Sequence, residues 1–375
     1  MPDSNIPVSS NRETLDRLWR TKSINILKSE WFDIPPKPLP PTFDFGRIEG
    51  MMLGLAISDG LGNTTEGLLP SHRRRAHGEI RDYLPNKYAD DVPVGIPSDD
   101  TQMAFWTLEQ MLVDGCFKPE NVADCCCRRR VFGIGSTVRE FIGNRKSGKP
   151  WYECGPRSMG NGALMRIAPM VIPYLQRPTC DMWVDTVLSA MITHNDPGSI
   201  SACVAFVNML WQLLCMERAP EPRWWPHTYV RVAREIEGQT KYQPCSEMVE
   251  SYTGPIWRFV EDRLVNVVYR VDPTVLDACS QWHSGAYLLE TVPSVLYILM
   301  RHGRDPEEAI VRAVNDTKDN DTIAAIVGAA VGALHGREAL PKRWIENLSG
   351  RTTDSDDGQV FRLLESAKQK WWLEC

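Results

Sequence analysis

The stretch VNDTKDNDTIAAIVGAAVGALHG, residues 314–336, decides how this chain folds. It places Asp316, Asp319 and Asp321 within six residues, directly before a run of small apolar residues. Negative charge at the entrance to a buried helix is costly unless a cation or hydrogen-bond donors neutralise it. The stretch therefore predicts both a core helix and a chemical role for the acids in front of it.

Small residues recur every four positions in this helix and in one other. They are Ala324, Gly328 and Gly332 here, and Gly50 with Gly54 near the start of the chain. Each glycine weakens a helix by roughly 1 kcal/mol relative to alanine. The repeated spacing therefore indicates that neighbouring backbones, or a ligand, approach these helices closely.

Helical periodicity dominates the chain from residue 45 onward. Apolar residues recur at intervals of three and four in 50–62, 101–114, 181–193, 200–216, 286–301 and 321–335. Runs of alternating apolar and polar residues are hard to find, and prolines and glycines cluster between the helical segments. We expect one compact all-α domain over 45–375.

Residues 1–44 form a separate N-terminal arm by composition. Ser10 followed by Glu13 predicts a capped short helix, and IPPKPLPP at 34–41 predicts an extended segment that cannot be helical. The arm also carries the apolar residues Trp19, Trp31, Phe32 and Ile34. It is expected either to pack on the domain or to bind a partner.

Composition excludes several classes of protein. A net charge of −6 and a pI near 5.7 argue against a nucleic-acid partner, and the basic runs at 71–78 and 125–130 are interpreted as solvated surface. We find no run of about 18 apolar residues, so no membrane span is expected. Eleven cysteines without CxxC spacing, and no apolar leader at the start, indicate free thiols in a reducing cytoplasm.

Two acidic motifs lie far apart, PSDDTQM at 97–103 and KDNDTIA at 318–324. Each opens an apolar-periodic segment, so helix N-capping is one explanation. Capping does not explain why both motifs carry two acids and a hydroxyl residue. The four carboxylates, Asp99, Asp100, Asp319 and Asp321, match two divalent cations, and an all-oxygen set selects magnesium or manganese, or calcium, over zinc.

Six motifs resemble, in order, those of the ADP-ribosylglycohydrolase family. They are GMMLGLAISDGLGNTTEG (50–67), SDDTQM (98–103), GNGALMRIAP (160–169), ITHNDP (192–197), SGAYLLETV (284–292) and DNDTIAAIVGAAVG (319–332). The resemblance implies a multi-helix bundle with two Mg²⁺ or Mn²⁺ ions at the base of an ADP-ribose cleft.

The resemblance also implies roles for individual residues. The metal shell it implies is Ser98, Asp99, Asp100, Asp319, Asp321 and Thr322. Glu66 and Asp100 are the implied catalytic residues, and Asp59 is expected to support the metal ligands. A loop of Gly160, Asn161 and Gly162 is expected to cradle phosphates.

Two further substrate contacts are implied. His194 matches a family histidine beside the cleft, and Tyr287 is a candidate for stacking on adenine. A buried core role is the alternative for both side chains, and a solvent-facing helix-terminal glutamate is the alternative for Glu66.

The implied reaction removes ADP-ribose from modified protein side chains, with arginine the favoured acceptor. The protein partner would then be an ADP-ribosylated substrate. One alternative is an immunity protein that occludes an ADP-ribosyltransferase toxin through residues 1–44, with or without hydrolysis. Another is a hydrolase of a different small ADP-ribosyl or nucleoside compound.

Overall fold

The computed structural model describes residues 10–244, 251–267 and 272–374. Over these ranges the chain is mostly helical and has almost no strands, which confirms the all-α expectation. The helices are α1 Asn11–Arg20, α2 Gly46–Gly62, α3 Pro70–His77, α4 Asp99–Asp114, α5 Pro119–Arg128, α6 Ser136–Lys146, α7 Asp181–Thr193, α8 Pro197–Leu214, α9 Trp224–Glu237, α10 Ile256–Val260, α11 Val275–Gln281, α12 Leu288–His302, α13 Pro306–Asp316, α14 Asn320–His335, α15 Lys342–Glu346 and α16 Gln359–Lys368.

Short 3₁₀ and π-helical turns connect or extend these helices. The 3₁₀ turns are Glu30–Asp33, Asn63–Thr65, Lys87–Ala89, Trp151–Glu153, Asn161–Ala163, Ala168–Tyr174 and Arg337–Ala339, and the π turns are Glu261–Val267 and Gln369–Leu373. A small hairpin pairs β1, Pro85–Asn86, antiparallel with β2, Val92–Pro93. Among the described residues this hairpin is the only sheet, and it lies beside the site described below.

The centre of the bundle is the antiparallel pair of α2 and α14. A methyl group added to Gly54 or to Gly328 would collide with the backbone of the other residue, and Gly50 and Gly332 stand in the same relation one turn away. The helices therefore touch through their backbones, because no side chain separates them. This confirms the close approach predicted from the four-residue spacing.

Helix α8 bears on the expectation that no segment spans a membrane. Pro197–Leu214 is long and apolar enough to cross a membrane by length and composition, with a mean hydropathy of 1.3. Nevertheless 94% of it is buried inside the protein. Its apolar character is accounted for by its position in the core, where it packs against α7 and α9.

The described part of the N-terminal arm packs on the helical domain. The capping box at Ser10 and Glu13 forms as predicted, and Phe32 is buried. The indole of Trp183 donates to the Ile34 carbonyl at 2.8 Å. That of Trp211 donates to the Lys37 carbonyl, also at 2.8 Å. The extended segment is therefore held by tryptophans of α7 and α8, which favours a structural role for residues 10–44.

Three elements deliver the acidic motifs to one place. Helix α4 begins at Asp99, α14 begins at Asn320, and α2 ends at Gly62. A Cβ on Gly62 would lie 2.5 Å from the Cα of Asp321. The C-terminal end of α2 therefore lies directly against the N-terminal end of α14, and residues 59–66 are brought beside residues 319–321.

Candidate active site

Two groups of three carboxylates meet where α2, α4 and α14 come together. Asp59, Asp100 and Asp321 form the first group, and all three are buried. Glu66, Asp319 and Asp321 form the second, which reaches solvent at Glu66. Within each group the ligand oxygens lie within 4.8 Å of one another. Because Asp321 belongs to both groups, the arrangement fits two cation positions that share one carboxylate.

Asp59 links the last turn of α2 to the first turn of α4. Its carboxylate accepts hydrogen bonds from the Ser98 backbone N–H at 2.8 Å and from the Ser98 hydroxyl at 2.6 Å. It also accepts from the Thr101 hydroxyl at 2.6 Å, the Thr101 N–H at 3.2 Å and the Asn63 amide at 2.9 Å. These five donors fix the orientation of Asp59, which supports the expectation that it positions the other ligands.

The remaining residues of the first motif surround Asp59. Ser98 is the N-cap residue of α4, and its hydroxyl also lies 3.4 Å from Asp100 Oδ2. Asp99 is outside both carboxylate groups and faces the loop at Gly133, where a Cβ would lie 3.0 Å from Asp99 Oδ1. The structure therefore brings Asp100 into the centre and leaves Asp99 at its edge.

The aspartates of the second motif accept hydrogen bonds from Asn161 and from the backbone of the motif itself. The Asn161 amide donates to Asp319 Oδ2 at 2.6 Å and to the Thr291 hydroxyl at 3.0 Å. The Thr322 N–H donates to Asp321 Oδ1 at 2.9 Å. The side chain of Asn161 thus orients a carboxylate, a role that the expectation of a phosphate cradle did not include.

Burial raises the pKa of every carboxyl group in this cluster, namely those of Asp59, Glu66, Asp99, Asp100, Asp319 and Asp321. Mutual repulsion adds to the effect for most of them. The pKa rises to about 6 for Asp319, and to about 6 for Glu66, which is partly desolvated and also feels the charges of Asp319 and Asp59. Hydrogen-bond donors offset part of this cost at Asp59 and Asp319, and bound cations would stabilise the ionised form of the whole cluster.

The oxygen atoms of these carboxylates are suitable ligands for a hard divalent cation. Asp100 Oδ1 is buried and has no hydrogen-bond partner among the residues that the structure describes. An unpaired buried carboxylate oxygen is costly, and a metal ion would satisfy it. The ligand atoms are all oxygens, which suits Mg²⁺ or Mn²⁺.

His194 lies behind the 160–162 loop and is only 1% exposed. Its ring fills the space that a Cβ on Gly160 or Gly162 would need, at 3.3 Å from the first and 2.9 Å from the second. Its Nδ1 pairs with the Thr193 hydroxyl at 2.9 Å. Burial, together with the charge of Arg166, lowers the pKa of His194 to about 3. The two glycines accommodate this neutral ring, and the geometry favours the core role for His194.

Tyr287 is half-buried where the 160 loop meets the start of α12. Gly160 and Tyr287 form an isolated antiparallel bridge, in which the Asn161 N–H donates to the Ala286 carbonyl at 3.0 Å. The backbone at Tyr287 therefore fixes the loop that carries Asn161. Stacking of the Tyr287 ring on adenine stays a prediction.

A cavity of about 520 Å³ adjoins the centre on the Glu66 side. Its lining includes Glu66, Tyr88, Ser98, Arg130, Phe132 and Gly133. Gly133 has φ of 75°, which favours glycine, and Gly135 precedes the first residue of α6. The sequence motifs above did not predict this loop, although a Gly-x-Gly pair directly before a helix is typical of an anion site.

The basic run at 71–78 is corrected by the structure. Arg73 is completely buried, whereas Arg74 and Arg75 are exposed. The prediction of a solvated face was therefore wrong for Arg73. The sequence motifs also did not identify Asn320 as a buried residue of the site. Its position between the candidate ligands Asp319 and Asp321 could have indicated this.

Comparison with known proteins agrees with this geometry. The ADP-ribosylarginine hydrolase Tri1 of Serratia proteamaculans is 24% identical over 336 residues, which cover 86% of this chain and 80% of that protein. The ADP-ribosyl-[dinitrogen reductase] glycohydrolase of Rhodospirillum rubrum is 25% identical over 332 residues, covering 86% and 96%. A solved structure of an ADP-ribosylglycohydrolase-related protein complex matches with a TM-score of 0.64 and 26% identity, covering 87% of this chain and 98% of that one. The sequence profile of the ADP-ribosylglycohydrolase family matches residues 40–371, so the chain belongs to that family.

Proposed function

We propose that the protein is a metal-dependent hydrolase that removes ADP-ribose from modified protein side chains, most readily from arginine. The observation that carries this proposal is the pair of carboxylate groups that share Asp321. Helix capping requires one acceptor at each helix start. It does not account for the five carboxylates of these two groups, which come together where α2, α4 and α14 meet.

The chain's own residues would hold two Mg²⁺ or Mn²⁺ ions. Asp100, Asp319 and Asp321 are the proposed carboxylate ligands, and Ser98, Asp99 and Thr322 complete the proposed shell. When bound, such ions supply charge neutralisation and Lewis-acid polarisation of oxygen atoms. Asp59 and Asn161 hold the ligands in place through the hydrogen bonds described above, as supporting residues do in metal sites.

Hydrolysis breaks the bond between the anomeric carbon of ADP-ribose and the acceptor nitrogen of arginine. The bond breaks through an oxocarbenium-like transition state, a water adds to the carbon, and the leaving nitrogen takes up a proton. Glu66 is the residue proposed to accept the proton of the attacking water. It lies at the open edge of the cluster, where a substrate enters, and a pKa of about 6 leaves its carboxylate ionised at neutral pH.

Two observations support arginine as the acceptor. The motif GNGALMR at 160–166 resembles that of the arginine-directed branch of the family, and one relative is named for ADP-ribosylarginine. The cavity beside Glu66 is the proposed entrance for the acceptor, and Tyr287, Gly160 and Gly162 are the residues proposed to contact the ADP-ribose. A cytoplasmic location is proposed because the nine cysteines within the described ranges are all free.

The immunity alternative receives less support. Occlusion of a toxin by residues 1–44 requires an available arm, whereas the described part is anchored by Trp183 and Trp211. A protein that acted only by binding would also have no need of two complete carboxylate groups. We therefore propose that catalysis is the primary function.

A comparison of two acceptors tests the proposal. One protein carrying ADP-ribosylated arginine and one carrying ADP-ribosylated serine are incubated separately with the enzyme in Mg²⁺, and released ADP-ribose is quantified. We expect faster release from arginine. Release from serine alone would transfer the proposal to a serine-directed enzyme, and release from neither would reject hydrolysis of protein-linked ADP-ribose at these acceptors.

A further inference from the structure

One buried cation lies next to the carboxylate cluster. Arg73 is 0% exposed, although it stands in the run SHRRRAHG and its neighbours are on the surface. Burial lowers the pKa of Arg73 to about 10, and the nearby carboxylates Asp321 and Asp316 act in the opposite direction. The guanidinium therefore stays protonated at neutral pH. A buried charge of this kind is retained only where its donors are satisfied.

One side of the guanidinium binds the segment that carries Glu66. Arg73 Nε donates to the Thr65 hydroxyl at 2.9 Å. Nη2 donates to the Leu68 carbonyl at 2.9 Å and to the Thr65 carbonyl at 3.4 Å. These acceptors lie on either side of Glu66 in the sequence. The backbone around Glu66 is therefore held by Arg73 before and after the glutamate.

The other side of the guanidinium binds the segment that leads to Asp319. Nη1 donates to the Thr317 carbonyl at 2.7 Å and to the Asn315 carbonyl at 3.3 Å. Thr317 precedes Asp319 by two residues. Arg73 is thus hydrogen-bonded to two loops that are about 250 residues apart in the chain, and each loop carries part of the second carboxylate group.

Asn320 makes a parallel link between the same two loops. Its buried amide donates to the Gly62 carbonyl at 3.0 Å and to the Thr65 hydroxyl at 3.1 Å. The Thr65 hydroxyl is therefore shared by Arg73 and Asn320. Two donors from different parts of the chain converge on it, and the residue that follows it is Glu66.

We propose that Arg73 is a positioning residue, which fastens the Glu66 loop to the segment that leads to Asp319 and into α14, and so sets the geometry of the second carboxylate group. The inference rests on the proposed metal-dependent function, because that group is the one held. Bridging requires the planar fork of arginine, whose donors diverge from one another. Lysine carries the same charge on a single nitrogen and cannot reach both loops in this way.

The test compares Arg73→Lys with Arg75→Lys, an exposed neighbour on the same helix. Binding of Mn²⁺ to each purified, metal-free protein is measured by isothermal titration calorimetry, and kcat and KM are measured at saturating Mn²⁺. For Arg73→Lys we expect metal affinity to fall about 10- to 100-fold, with a lower kcat that excess metal does not restore. Arg75→Lys should match the wild type.

The outcomes separate this inference from the proposed function. A wild type that binds no Mn²⁺ defeats the proposed function itself. A wild type that binds Mn²⁺, together with an Arg73→Lys variant of equal metal affinity and kcat, defeats only the positioning role. Reduced thermal stability without any change in metal affinity or kcat would assign Arg73 a purely structural role and also defeats it.

If Arg73→Lys does not fold, the variant Thr65→Val tests the same proposal. It removes the hydroxyl that Arg73 and Asn320 share and leaves the charge of Arg73 in place. We expect a weaker change in the same direction, with reduced Mn²⁺ affinity and reduced kcat. Wild-type values for both quantities in a folded Thr65→Val protein would overturn the proposal.

Discussion

Replacing Asp319 by asparagine should have opposite effects on stability with and without metal. The variant keeps an oxygen that can accept the 2.6 Å hydrogen bond from Asn161, but it loses the charge. In the metal-free protein the ionised Asp319 is unfavourable, because burial raises its pKa from 3.8 to about 6. Asp319→Asn should therefore stabilise the metal-free protein and reduce the stabilisation by Mg²⁺ or Mn²⁺, because Asp319 belongs to only one of the two carboxylate groups.

The size of the effect follows from the shift in pKa. A rise from 3.8 to about 6 corresponds to about 3 kcal/mol at neutral pH, at about 1.36 kcal/mol for each pKa unit. A raised pKa in the folded state favours folding below the unfolded pKa, and that contribution is lost as pH rises through about 6. The stability that Asp319→Asn gains over the metal-free wild type should therefore be absent near pH 4 and fully developed above pH 7. For a chain of 375 residues, about 3 kcal/mol corresponds to a change in Tm of about 4 °C.

Thermal unfolding is followed by circular dichroism in EDTA and in excess Mg²⁺ or Mn²⁺, at pH values from 4 to 8. At a metal concentration of 100 Kd the wild type should gain about 2.7 kcal/mol for each site, and Asp319→Asn should gain much less. Asp357→Asn, which neutralises an exposed carboxylate, serves as the control and should behave like the wild type. A metal-free Asp319→Asn protein that is less stable than wild type, yet gains the same stability from metal, would refute the reasoning.

Three other predictions follow from the structure. Glu66→Gln should slow turnover by about 10²–10⁴-fold while ADP-ribose affinity changes little; near-normal turnover would move the proton-accepting role elsewhere. Gly54→Ala should lower the free energy of unfolding, measured in urea, by about 1–3 kcal/mol, because the added methyl group collides with α14. Gly143→Ala is the control: there is open space around this glycine, so the substitution should be neutral or stabilising. Deletion of residues 1–44 should lower Tm and solubility, because residues of the described part are anchored by Trp183 and Trp211. A stable, active 1–44 deletion would restore the partner-binding interpretation of the arm.

Local sequence patterns predicted the elements of the fold well. The four-residue spacing of Gly50 and Gly54 predicted close backbone contact, and the contact with α14 was found. The capping box at Ser10 was also confirmed. Such features depend on residues a few positions apart, so the pattern alone determines them. The apolar periodicity of 200–216 likewise predicted α8, which the structure places at Pro197–Leu214.

The supporting contacts of the site could not be read from local patterns. Asp59 is held by donors about 40 residues away in the chain, and Arg73 joins two loops about 250 residues apart. A run of three arginines specifies charge, but the fold decides which of them is buried. For the same reason the sequence predicted a phosphate-binding role for the 160–162 loop but not the hydrogen bond from the Asn161 amide to Asp319.

A titration that couples metal binding to turnover tests the central claim most directly. Metal-free protein is titrated with Mn²⁺, and bound metal is measured alongside release of ADP-ribose from an arginine-ADP-ribosylated protein, with Asp321→Asn as the matched inactive variant. The account predicts that two ions bind, that turnover rises with their binding, and that Asp321→Asn loses both because its carboxylate serves both cation positions. Full turnover in EDTA, or an Asp321→Asn variant that binds two ions and hydrolyses the substrate like the wild type, would contradict it.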